Sequence, residues 1–122
     1  MTRNSRWFKN GGNAHRGWYK GVWCDSSWEL AFLMWHLDHG KDIVRNTEDF
    51  PYTLYHKTMR YRPDFIVDGV YYEIKGVLDG RSKKKLDQFK YPIKKIGLRE
   101  IKPYIQYAQE KYGVRYYELL AN

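Results

Sequence analysis

Two short runs in the middle of the chain carry residues able to do chemistry together. Arg62-Pro63-Asp64-Phe65-Ile66-Val67 and Val70-Tyr71-Tyr72-Glu73-Ile74-Lys75 are separated only by Asp68-Gly69. Both runs are rich in β-branched and aromatic residues, and Asp-Gly between such runs marks a two-residue hairpin turn. The register follows by counting back from the turn. Val67 faces Val70, Ile66 faces Tyr71, Phe65 faces Tyr72 and Asp64 faces Glu73. Side chains alternate faces along a strand. One face then holds Phe65, Val67, Val70, Tyr72 and Ile74, all suited to a core. The other holds Asp64, Ile66, Tyr71, Glu73 and Lys75. Two carboxylates directly across an antiparallel pair repel. A hard divalent cation relieves that repulsion, because Mg²⁺ accepts a few carboxylate oxygens together with water and substrate phosphate. Lys75 stands on the same face, two residues beyond Glu73, placed to orient or activate an attacking water. As plain surface acids, Asp64 and Glu73 would instead pair with Lys75 and Arg62.

The hairpin needs elements around it. Ser26-Ser27-Trp28-Glu29 predicts a helix start running to about His39, with Gly40 as the stop. Leu30 to Trp35 is apolar almost all round, so this helix belongs against a sheet. Glu29 fits a capping box on Ser26, and it also places a carboxylate at the start of a buried helix. Ile43 to Arg45 and Phe50 to Tyr55 read as strands. Ser82 to Tyr91 reads as a basic helix ending before Pro92. Ile93 to Leu98 reads as a strand and Ile101 to Tyr112 as a helix ending at Gly113. Residues 114–120 fit a strand or a helix equally. The order predicts a mixed α/β (α+β) domain, a central mixed β-sheet flanked by helices, over residues 24–122. Residues 1–23 hold five basic groups and no acid, interleaved with Trp7, Phe8, Trp18, Tyr19 and Trp23. They read as a basic, aromatic N-terminal arm.

Charge and composition bound the function. The 122 residues carry a formal net charge of +8. Residues 81–102 hold nine Lys or Arg against Asp87 and Glu100. Two basic blocks point to a polyanion partner. Twelve Tyr and five Trp fill a core, with bases as an alternative partner for their rings. The one cysteine, Cys24, excludes an internal disulfide and predicts a reducing compartment. With four scattered histidines it makes no zinc set, and His36 and His39 read as ordinary helix residues. No stretch approaches the roughly 20 apolar residues of a membrane span, and no signal peptide is evident. A cytoplasmic protein without nucleotide cofactor or membrane partner is expected.

Pro63-Asp64, eight intervening residues, then Glu73-Ile74-Lys75 resembles the signature of the PD-(D/E)XK nucleases. A wider set is similar to phage-borne nucleases of that superfamily, homing endonucleases included. It comprises Gly17-Trp-Tyr-Lys-Gly21, Cys24-Asp-Ser-Ser-Trp-Glu-Leu30, Arg45-Asn46, Phe50-Pro-Tyr52, Tyr61-Arg-Pro-Asp64 and Glu73-Ile-Lys-Gly76. The resemblance implies a restriction-endonuclease-like core and Mg²⁺-dependent hydrolysis of DNA, with Mn²⁺ able to substitute. It implies Asp64, Glu73 and the Ile74 backbone carbonyl as metal ligands, Glu29 as a supporting acid and Lys75 as the group assisting water. The product would carry a 5′-phosphate. Cleavage of double-stranded DNA by a homodimer in the host cytoplasm is implied too. Arg6, Lys9, Arg16, Lys20, Lys83, Lys84, Lys85 and Gln88 are the expected DNA-backbone contacts. Arg45 either joins them or pairs with Glu29 or another acid. A junction-resolving nuclease and an inactive DNA-binding module are the alternative functions.

Overall fold

The computed structural model describes residues 15–122. In chain order these form β1 (Gly17–Tyr19), β2 (Val22–Cys24), α1 (Ser27–Asp38), β3 (Ile43–Arg45), β4 (Phe50–Leu54) and β5 (Lys57–Tyr61). Then come β6 (Phe65–Val67), β7 (Val70–Ile74), α2 (Gly80–Gln88), β8 (Ile93–Ile96), α3 (Leu98–Tyr112) and a 3₁₀ turn over Tyr116–Leu119. The fold is mixed α/β. A four-stranded sheet in the order β3-β6-β7-β8 forms its centre. β3, β6 and β7 are antiparallel to one another in turn, and β8 lies parallel to β7.

The β6–β7 turn is the one the sequence predicts. Asp68 and Gly69 both take positive φ, 48° and 84°, as a turn matching the twist of two strands demands. The register is Val67 to Val70, Ile66 to Tyr71 and Phe65 to Tyr72.

Helix α1 starts where its cap requires. Ser26 is extended, and its Oγ accepts from the Glu29 N–H at 3.2 Å. Leu30 to Met34 are fully buried. Phe32 meets Phe65 and Tyr72 of the sheet and Tyr104 of α3, at centroid distances of 5.7, 5.3 and 5.2 Å. One sheet face, with Phe65, Val67 and Ile74, is thus sealed by α1 and α3. Truncating Phe32 to Ala would cost about 3–5 kcal/mol.

On the other face, Tyr71 meets Phe50, Phe89 and Tyr91. The first comes from the β4–β5 hairpin and the other two follow α2. That hairpin turns through Tyr55 and His56, at φ 50° and 67°. Gln88 fastens α2 to it, since its side-chain amide accepts from the Thr53 N–H (2.7 Å) and donates to the Thr53 carbonyl (2.9 Å).

The N-terminal arm is corrected in part. Residues 17–24 are no extended arm but the β1–β2 hairpin, with Cys24 fully buried and Trp18 bridged to Ala121. The expected strand to Tyr55 ends at Leu54, and β5 was not anticipated. The open choice for residues 114–120 resolves as the 3₁₀ turn. No helix among the described residues is long and apolar enough to cross a membrane.

Candidate active site

Asp64 directly precedes β6 and follows Pro63, a residue that cannot donate to the ladder. The Asp64 N–H donates to the Tyr72 carbonyl at 3.1 Å, although Tyr72 is the register partner of Phe65. Two residues therefore oppose one, which is a β-bulge, a device that re-aims a side chain. The simple pairing of Asp64 with Glu73 expected from counting is corrected by this extra residue. The bulge turns the Asp64 carboxylate back onto β7, where Oδ2 accepts from the Ile74 N–H at 2.8 Å.

Glu29 arrives from the first turn of α1. Its Oε1 accepts from the Asp25 N–H at 2.9 Å, one residue before the cap. The same oxygen accepts from Arg45 Nη1. Arg45 Nη2 donates to Asp25 Oδ2 at 2.8 Å and stands 3.7 Å from Asp64 Oδ1. Of the two readings of Arg45, ion pairing is the one this geometry displays. Its guanidinium lies over the Phe65 ring at 5.3 Å, with the side chain 17% exposed.

Glu73 is held differently. Its Oε1 accepts from the Tyr61 hydroxyl at 2.8 Å. The charges of Lys85 and Lys75 favour its ionised form, and Lys85 Nζ sits 5.4 Å from the centroid of the Tyr61 ring. Lys75 is partly exposed.

The electrostatics of these acids agree in sign. Burial pushes the Asp64 carboxyl well above the ordinary range, and the charges of Glu29 and Glu73 push it further. Burial also raises Glu29 and Glu73, against the pull of Arg45 on the first and of Tyr61, Lys85 and Lys75 on the second. Burial is the largest cause for all three, so their charged forms are disfavoured in place despite the neighbouring cations. Such a cluster gains from a proton or a cation. A cavity of about 500 Å³ opens beside it, with Trp23, Asp25, Arg45, Arg62 and Asp64 in its wall.

The donor set bears on a divalent metal. Among the described residues, no three His, Cys, Asp or Glu side chains are grouped so as to hold a metal ion. Each of the three acids nevertheless keeps one oxygen that accepts no hydrogen bond among the described residues: Glu29 Oε2, Asp64 Oδ1 and Glu73 Oε2. Asp64 Oδ1 faces Arg45 Nη2 at 3.7 Å without a hydrogen bond, and two carboxylates that each keep such an oxygen suit Mg²⁺, which takes its remaining ligands from water and phosphate. Glu29 is the most committed of the three, through Arg45.

The expected DNA contacts are scattered. Arg16 is exposed and 3.5 Å from Asp25. Lys20 sits in the β1–β2 turn, 5.5 Å from the Tyr19 ring. On α2, Lys83 is 3.6 Å from Asp87 and Lys84 is exposed. The Gln88 amide is taken up by Thr53. Arg6 and Lys9 lie outside the described residues. Two polar residues of the site escaped sequence reasoning. Asp25 holds Arg45 and the Trp23 indole N–H (2.8 Å); Tyr61 holds Glu73. Both stand inside the motif runs, beside Ser26 and Arg62, and adjacency was their only signal.

No family model matches this chain, and neither the curated proteins nor the solved structures contain a match.

Proposed function

We propose that the chain is a divalent-metal-dependent endodeoxyribonuclease of the PD-(D/E)XK type, built on a restriction-endonuclease-like core. The observation that carries this reading is the carboxylate set of buried Glu29 and Asp64 and half-buried Glu73, each raised above its ordinary range, with Lys75 acting on the Glu73 charge. Asp64, Glu73 and the Ile74 carbonyl would hold Mg²⁺, with Mn²⁺ an alternative. Bound there, the metal would polarise the scissile phosphate and offset the charge that grows on it.

The chain's own groups do the rest. Asp64 is aimed by the bulge and by the Ile74 N–H. Glu73 is steadied by Tyr61. Lys75 supplies positive charge at phosphorus and orients the attacking water. Glu29 fixes Arg45, which in turn frames Asp64. Lys83, Lys84, Lys85, Arg16 and Lys20 would meet backbone phosphates, which set register more than sequence choice. The described residues offer one such site, so a double-strand break calls for a homodimer. A phage homing enzyme acting on duplex DNA fits the motif runs.

The test is Mg²⁺-dependent nicking of supercoiled plasmid. The wild-type protein is expected to nick, and Lys75→Ala to lose cleavage while retaining DNA binding in a mobility-shift assay. Full cleavage by Lys75→Ala, or no cleavage by the wild type with Mg²⁺ or Mn²⁺, would overturn the assignment.

A further inference from the structure

We infer that Tyr61 is a positioning residue for Glu73 that biases the site toward Mg²⁺ over Ca²⁺. The inference rests on the metal-site reading of Asp64 and Glu73. Tyr61 ends β5, is only 4% exposed, and its hydroxyl donates to Glu73 Oε1 at 2.8 Å. The ring is fixed by Phe89 at 5.8 Å, edge to face, and by Lys85 Nζ at 5.4 Å. Lys85 rides on α2, which the Gln88 clip ties to β4, the pairing partner of β5. The hydroxyl therefore sits on a braced unit, and its hydrogen bond ties the Glu73 carboxylate to that unit.

The consequence is geometric. A carboxylate with one oxygen already bonded offers a metal its other oxygen, Oε2. Single-oxygen ligation suits the strict octahedron of Mg²⁺. Ca²⁺ takes more oxygens, often both from one carboxylate. Groups that orient a ligand in this way commonly set metal affinity by about 10–100-fold. Freeing Oε1 removes the orientation and admits two-oxygen ligation.

The experiment compares wild type, Tyr61→Phe and Tyr112→Phe, the last removing a tyrosine hydroxyl that donates to a carboxylate away from the site, Asp38 Oδ2 at 2.8 Å. Mn²⁺ binding is followed by electron paramagnetic resonance, and bound Mn²⁺ is then displaced by Mg²⁺ or by Ca²⁺. Tyr61→Phe is expected to weaken Mn²⁺ by about tenfold and to lower the Mg²⁺-to-Ca²⁺ preference by a similar factor. Tyr112→Phe is expected to leave both unchanged. A change in thermal stability alone, with Mn²⁺ affinity and metal preference kept, overturns the inference and leaves the nuclease reading standing. The same metal effect in Tyr112→Phe also overturns it. No Mn²⁺ binding by the wild type overturns both. Should Tyr61→Phe fail to fold, the ultraviolet difference spectrum of wild-type tyrosines on adding Mg²⁺ decides: perturbation of a buried tyrosine supports the inference, and an unchanged spectrum defeats it.

Discussion

Asp38 and Asp64 are aspartates at the ends of neighbouring elements, and the chain treats them in opposite ways. Asp38 closes α1. Its Oδ2 accepts from the Tyr107 hydroxyl (2.6 Å), the Tyr112 hydroxyl (2.8 Å) and Lys111 Nζ (3.1 Å). Burial acts to raise its carboxyl, but these three donors outweigh it and hold the group below the ordinary range. Asp64, just before β6, has one backbone donor and a guanidinium at 3.7 Å. Burial and two neighbouring carboxylates leave it well above the ordinary range. The first acid is solved by its own chain and fastens α1 to α3. The second is left unsolved at a cavity wall. An unsolved charge costs stability, and a partner that brings positive charge would offset that cost.

The comparison breaks most sharply on activity. Asp64→Asn keeps an oxygen for the Ile74 N–H but removes the charge. Mg²⁺-dependent nicking is expected to fall by roughly three orders of magnitude, the scale for losing a group that stabilises the transition state. Asp38→Asn is expected to nick like the wild type. Equal losses in the two variants would mean that the contrast between the two acids has no functional content.

Stability should reverse the ranking. Asp38→Asn loses three charge-assisted bonds and is expected to lower the unfolding free energy by about 1.5–3 kcal/mol, read from urea melts. Asp64→Asn removes a charge that folding had forced into an unfavourable place, so its unfolding free energy is expected to stay level or rise. A marked loss in Asp64→Asn would make Asp64 a structural partner of Arg45 and nothing more.

This contrast was only half legible in the residues. The Asp68-Gly69 turn and the strands around it follow from local chemistry, because a two-residue turn with both φ positive selects such a pair. The cap at Ser26 and the all-round apolar run after it placed α1 in the same way. The β4–β5 hairpin stayed hidden because Tyr55 and His56 make its turn, where no Asn-Gly or Asp-Gly pair marks it. The bulge at Asp64 stayed hidden because counting assumes one residue opposite one. Tyr61 was one tyrosine among twelve, and its value comes from the hidden hairpin that delivers it to Glu73. Asp38 drew no notice either, since its partners lie some 70 residues away along the chain. Local turns and caps are written in neighbouring residues, whereas the partners of a charge are set by packing.

The smallest expected effect concerns pH, and it carries a sign. Asp64, Glu29 and Glu73 have folded values raised above their unfolded ones, 3.8 for Asp and 4.5 for Glu. Between the unfolded and folded values the native state binds more protons, so stability falls as pH rises through that window and levels off above it. Asp38 works the other way. Its folded value is lowered, so its contribution is present above 3.8 and is lost as pH falls through the folded value. Urea melts from weakly acidic to neutral pH should therefore show the wild type losing stability as pH rises. Asp64→Asn should show a shallower decline, since only Glu29 and Glu73 continue to act. Asp38→Asn should keep the wild-type slope there and lose its difference from wild type at the most acid pH. Mg²⁺ should flatten the wild-type decline, because a bound cation offsets the charge that the rising pH exposes. A decline of equal steepness in wild type and Asp64→Asn would place the unfavourable charge elsewhere and remove the physical ground for putting a cation beside Asp64.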